Sequence, residues 1–263
     1  MIGDRRAGYG WRCAILGLTG LIVSHHAMAA PVDTIPRVKA SIVAVGTYEK
    51  SRNPAFAFRG TGFVVGDGSL VATNAHVLPP ILNDERREAL VVAVPGATPS
   101  SPVLIRTGKT LAIDQDHDLA LVRIDGPKLP ALALGDSGRV REGQNYLLTG
   151  FPIGAVLGLI PTTHRAMVAA LTPIAIPTSS AQELQPGTIK RLSTTPYPVM
   201  QLDGTAYPGN SGSPLYDPES GEVVGIVNMV LVKGTRETAL TQPSGIAYAI
   251  PAEPLKNLLQ SVR

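Results

Sequence analysis

A chain of 263 residues with 44% hydrophobic, 16% charged and 5% aromatic residues, 27 glycines and 23 prolines has the composition of a soluble, turn-rich globular protein of many short strands. Its net charge of +3 drops to +1 once residues 1–29 are set aside, because that segment holds three of the 23 basic residues and one of the 20 acidic ones. The basicity therefore belongs mostly to the first thirty residues, and nothing in the remainder points to nucleic acid.

Those first residues have the order of a secretory leader: Arg5, Arg6 and Arg12, then the apolar run "CAILGLTGLIV", then "AMA" at 27–29. An apolar run of 11 residues is too short to span a bilayer, which needs roughly 20. Cleavage after Ala29 is expected, leaving an exported chain, periplasmic or secreted, with no stable membrane insertion. The only cysteine, Cys13, departs with the leader, so the mature chain has no disulfide and must be held by its core.

From there the sequence breaks into short β-rich runs separated by Gly, Pro, Asn and Asp. They are "ASIVAVG" (40–46), "GFVV" (62–65), "LVAT" (70–73), "ALVVAV" (89–94), "LALVRI" (119–124), "NYLLTG" (145–150), "VVGIVNMVLV" (223–232) and "GIAYAI" (245–250). This spacing predicts an all-β barrel or sandwich. The charged stretch 81–89 reads as a solvated turn or short helix, and 172–200, rich in Pro, Ser and Thr, reads as a long surface loop. At the end, Leu255, Leu258, Leu259 and Val262 recur at helical spacing behind Pro254, which predicts a terminal amphipathic helix packed on a barrel.

Two serines sit in similar surroundings, Ser137 in "LGDSGRV" and Ser211 in "DGTAYPGNSGSPLY". A serine hydroxyl becomes a nucleophile only beside a base that is itself oriented. Of the five histidines, His25 and His26 lie in the leader, His117 in a charged turn and His164 near a loop edge; His76 follows the strand-like "SLVATNAHV" and is the candidate base. Asp118, opening "LALVRI", is the carboxylate best placed to be partly buried, while Asp114 and Asp116 read as solvated. Around Ser211, Gly209 and Gly212 free the backbone to turn sharply, so the amides of Gly209 and Ser211 can face a carbonyl oxygen as an oxyanion hole. "GDSG" around Ser137 reads as a turn. "GNSGS" is not the G-x-S-x-G elbow, and with no H-E-x-x-H and no thiolates in the mature chain, neither a metal site nor a cofactor is expected.

His76, Asp118 and Ser211 in that chain order, with "TNAHV", "DLALV" and "GNSGSPL" around them, resemble the trypsin/chymotrypsin-like serine proteases, and the Deg/HtrA branch in particular. "GTGFVV", "LALGDS", "GFPIG", "QLDGTAYPGNSGSPL" and "SGIAYAIPAEPLKNLL" extend the likeness over most of residues 60–263. The resemblance implies two six-stranded antiparallel β-barrels, 30–135 and 136–263, the second carrying the terminal helix. It also implies a serine endopeptidase acting on polypeptide substrates: Ser211 attacks, His76 carries the proton and Asp118 orients His76. The alternative from another class is a protease-fold peptide-binding or chaperone-like protein with a gated or inactive cleft.

The sequence also departs from that family. With 263 as the last residue, PDZ-based peptide sensing is expected to be absent, and 47–60 is too short for the long regulatory loop of periplasmic members. Ser213 replaces the glycine of the familiar "GNSGG", a variant shared with glutamyl endopeptidases. The histidine those enzymes place in the pocket wall is missing, since Val227 and Asn228 stand there, and Thr205 holds the place of the trypsin aspartate. A substrate pocket formed by Thr205, Val227, Asn228 and Met229 is expected to favour a small or medium apolar side chain.

Overall fold

The computed structural model describes residues 31–96, 98, 101–173, 197–228 and 245–262. The expected leader with Cys13, most of the expected loop at 172–200, and Met229 lie outside the described residues.

Two closed antiparallel barrels make up the fold. The first comprises β1 (Ile42–Tyr48), β2 (Phe56–Val65), β3 (Leu70–Asn74), β4 (Ala89–Val94), β5 (Leu104–Asp114) and β6 (Leu119–Ile124), hydrogen-bonded in the order β1-β2-β3-β6-β5-β4. In the second, β7 (Asn145–Gly150), β8 (Thr162–Pro173), β9 (Pro198–Asp203), β10 (Pro214–Tyr216), β11 (Val223–Val227) and β12 (Ile246–Pro251) close as β10-β11-β12-β9-β8-β7. Among the described residues three α-helices join them: α1 (Pro31–Lys39), the single turn α2 (Gly154–Leu157) and the terminal α3 (Ala252–Gln260). The expected all-β class with two six-stranded barrels and a C-terminal helix is what the chain adopts.

Strand alternation explains why some runs are apolar throughout and others are not. Val43, Val45, Val64, Val71, Ala120 and Val122 point into the first barrel, while their neighbours Ile42, Ala44, Phe63, Val65, Leu119 and Leu121 join a second cluster shared with Phe151, Tyr216, Ile226 and Leu255. A strand buried on both faces reads as a continuous hydrophobic run, as "LALV" does. This shared cluster is the seam between the barrels, and α3 closes it with Leu255 and Leu259. The second barrel is filled by Leu148, Val168, Met200, Leu202, Leu215 and Val227. Each such side chain removed from water contributes roughly 1.5–3 kcal/mol.

Helix α1 ties the start of the described chain to the second barrel. Its Val38 and Thr34 are buried, and Thr34 Oγ1 donates to the Glu219 carbonyl at 3.0 Å, in the turn between β10 and β11.

Candidate active site

The pairing of β3 with β6 sets Asn74 opposite Leu119, so the residues just beyond these strand ends face each other at the barrel rim. There the chain makes a 3₁₀ turn over Ala75–Val77, which carries His76. Asp118 lies across from it, and its backbone takes the left-handed region at φ 53°, uncommon for a non-glycine residue. Hydrogen bonds from the end of β3 and the turn after it hold it in place. Its carbonyl accepts from Asn74 Nδ2 at 3.1 Å and from the Ala75 amide at 3.0 Å. Its carboxylate takes the His76 amide on Oδ1 at 2.9 Å and His76 Nδ1 on Oδ2 at 2.6 Å. A conformation this over-determined persists despite its local cost of about 1–3 kcal/mol.

Burial pushes the Asp118 carboxyl up, but the hydrogen bond and charge of the His76 ring, the His76 amide and the Asn228 side chain together outweigh it, so the group titrates below the ordinary carboxylate value. An ionised carboxylate is acceptor-only, so Nδ1 of His76 is the donor and the neutral ring keeps its lone pair on Nε2.

Ser211 is 7% exposed and sits in the segment between β9 and β10. That segment is fastened to the first barrel through Thr61 in β2. The Thr61 amide donates to the Ser211 carbonyl at 2.9 Å, and Thr61 Oγ1 donates to the Gly209 carbonyl at 2.7 Å while accepting from the Phe151 amide at 3.1 Å. Gly212, at φ 85°, approaches so closely that a methyl group there would strike the Thr61 carbonyl and the Thr73 hydroxyl. The Pro208 carbonyl accepts from the Ile153 amide at 2.7 Å, with Ile153 itself at φ 50°. In a trans peptide the N–H points opposite to the C=O, so the Gly209 N–H is turned away from Ile153. Among the described residues, the amides of Gly209 and Ser211 and the Ser211 hydroxyl have no hydrogen-bond partner. Ser213, the departure from "GNSGG", is wholly buried against Gly150, which has no side chain to obstruct it.

The structure thus brings His76 and Asp118 into direct contact on the first barrel and fastens the Ser211 segment to that same barrel through Thr61. Ser137 lies elsewhere, in a 3₁₀ turn leading to the second barrel, where Asp136 Oδ1 accepts from the Gly138 amide at 2.9 Å. Asp114 has a histidine of its own: its Oδ2 meets His117 Nδ1 at 2.7 Å, and the His117 ring packs on Tyr197 with centroids 4.6 Å apart.

Of the expected pocket residues, Thr205 is half-buried in the segment before Ser211. Val227 is wholly buried in the second-barrel core. Asn228 is 1% exposed and directs its amide to the Asp118 carboxylate, Nδ2 to Oδ2 at 2.8 Å. That contact crosses 110 positions of sequence and has no local signal. The anchoring by Thr61 is equally invisible in the sequence, since it depends on how the two barrels meet.

Residues 60–226 match the Trypsin-like peptidase domain family, and the chain belongs to that family. Among curated relatives, "Serine protease HTRA1A" of Danio rerio is 28% identical over 235 residues, covering 86% of this chain and 40% of the relative. "Serine protease HTRA2, mitochondrial" of Drosophila willistoni is 29% identical over 214 residues, 80% of this chain and 40% of the relative. "Probable periplasmic serine endoprotease DegP-like" of Marinomonas sp. is 28% identical over 210 residues, 78% and 35% of the two chains. The chain thus spans about two-fifths or less of the length of these relatives. A solved HtrA-type protease, AlgW with a tripeptide, superposes with a TM-score of 0.60 at 22% identity, covering 89% of this chain and 64% of that one, which matches the fold.

Proposed function

We propose that the chain is an exported serine endopeptidase that hydrolyses peptide bonds in polypeptides without a cofactor. The observation that carries this reading is the His76–Asp118 contact at 2.6 Å, at the rim of the barrel to which the Ser211 segment is bound. In this reading the Nε2 of His76 takes the Ser211 proton as Oγ attacks the carbonyl carbon, and Asp118 stabilises the imidazolium that forms. The partnerless amides of Gly209 and Ser211 receive the oxyanion, and His76 then returns the proton to the leaving amine. Export rests on the leader-like segment 1–29.

The test is incubation of purified protein, beginning at Ala30, with unfolded casein beside a Ser211→Ala variant. Cleavage lost by on the order of 10⁶ in the variant is expected for a nucleophile. Casein left intact by folded wild-type protein would favour the reading as a peptide-binding protein with a gated cleft.

A further inference from the structure

We infer that His164 is a specificity-determining residue: it sits at the base of the cleft that receives the substrate side chain preceding the cut, and selects an uncharged carboxamide there, glutamine or asparagine. The inference rests on the protease reading and names the substrate class of that same site.

Strand alternation fixes the direction of this side chain. Along β8, Ala166 and Val168 are buried in the second-barrel core and Arg165 between them and His164 is exposed, so His164 lies on the inward face with Ala166 and Val168. Its cross-strand partner on β7 is Leu148, which is wholly buried in the same core. His164 is therefore an imidazole turned inward near the start of a strand whose next inward residues, Ala166 and Val168, are aliphatic.

The chain leading to Ser211 passes directly over this position. Beyond β9, Gly204 abuts Ala166 and the Arg165 carbonyl, and the Tyr207 ring lies 6.2 Å from the His164 ring, centroid to centroid. A substrate carbonyl held by the Gly209 and Ser211 amides sets the side chain on the adjacent α-carbon against this same segment. The inward histidine lies beneath it.

The chemistry points to a neutral partner. Among the described residues His164 Nε2 is buried with no hydrogen-bond partner, so a polar atom is left unsatisfied beside the apolar Leu148 across the strand pair and Ala166 along the strand. Burial also lowers the pKa of the ring, which keeps it uncharged at neutral pH and gives it little attraction for a carboxylate. A carboxamide carries both a donor and an acceptor and satisfies either tautomer of a neutral imidazole. An apolar side chain, as expected for a pocket of Thr205, Val227, Asn228 and Met229, leaves that nitrogen unpaired.

The experiment uses the Ser211→Ala protein and two short peptides identical except for a C-terminal glutamine or leucine, with affinities measured by calorimetry. The glutamine peptide is expected to bind at least about tenfold more tightly, and His164→Leu in the same background is expected to erase or invert that ratio. Should His164→Leu not fold, the His164 ring resonances of the Ser211→Ala protein provide the second measurement, shifting with the glutamine peptide and not with the leucine peptide. Equal affinities, a preference that survives His164→Leu, or ring resonances indifferent to glutamine would overturn the assignment. The protease reading fails on a different result, the absence of serine-dependent cleavage by wild-type protein.

Discussion

Asn228 donates its side-chain amide to Asp118 Oδ2 at 2.8 Å, the same oxygen that holds His76 Nδ1 at 2.6 Å. The carboxylate is thus fixed by a group from the second barrel as well as by its own. Asn228→Ala removes one charge-assisted hydrogen bond, a contribution of about 1.5–3 kcal/mol. The expected outcome is a turnover number about 10- to 100-fold lower with KM nearly unchanged, because Asn228 acts through Asp118 and not on substrate. Asn228→Ser, which keeps a donor, should recover part of the loss. Steady-state kinetics on a single peptide substrate check this, and a change confined to KM would contradict the role.

Thr61 anchors the Ser211 segment through its hydroxyl, which serves the Gly209 carbonyl and the Phe151 amide at once. Thr61→Val keeps the shape and leaves the buried Phe151 amide unpaired, at about 1–3 kcal/mol, and the part-buried Gly209 carbonyl without this donor. Thermal unfolding of this variant should start several degrees lower, and turnover should fall with it as the Gly209 amide loses its alignment. Thr61→Ser should restore both.

Gly212 and Gly143 form a controlled pair, with φ of 85° and 84°. Alanine at Gly143 meets nothing within 4 Å, so its cost is the left-handed backbone alone, about 1–2 kcal/mol. Alanine at Gly212 meets the Thr61 carbonyl and the Thr73 hydroxyl as well. The Gly143→Ala protein should fold and cleave normally, while Gly212→Ala should lose activity and far more stability. Denaturant unfolding of the two variants side by side measures the difference.

The buried His164 ties stability to pH. Its pKa in the fold lies below the reference value of 6.5, so the unfolded chain takes up the proton first as pH falls. Its contribution is therefore complete above about pH 6.5 and is lost progressively below it, toward the depressed folded value. Unfolding free energies measured from pH 7.5 to 5 should decline less steeply in His164→Leu than in wild type. Equal slopes would show that the ring is solvated.

What the sequence made legible follows from burial. "ALVVAV", "LALVRI" and "NYLLTG" became β4, β6 and β7 with the expected bounds, because strands packed in a core carry dense apolar runs. β5, "LIRTGKTLAID", carries exposed Thr107, Lys109 and Thr110 on an outer wall and gives no such run. β8 begins with the polar Thr162, Thr163 and His164 and gives no such run either, and the first residues of β9, 198–200, fall inside the loop expected at 172–200. Helix α1 has Pro31 at its start, a position suited to proline, and Pro36 inside it, and no dense apolar run in the sequence announces it. Of the candidate site, His76, Asp118 and Ser211 are singled out by their local surroundings in the sequence, whereas Asn228, Thr61 and the inward turn of His164 emerge only when strands distant in sequence are paired.

The central claim is that Ser211 is an activated nucleophile, and covalent labelling tests it most directly. A serine-directed phosphonate reacts where a base and an oxyanion hole are both in place. Folded wild-type protein should take up one equivalent, found by mass spectrometry on Ser211, and both Ser211→Ala and His76→Ala should remain unlabelled. A folded wild-type protein that takes up no phosphonate, or one that carries it on Ser137, would contradict the account.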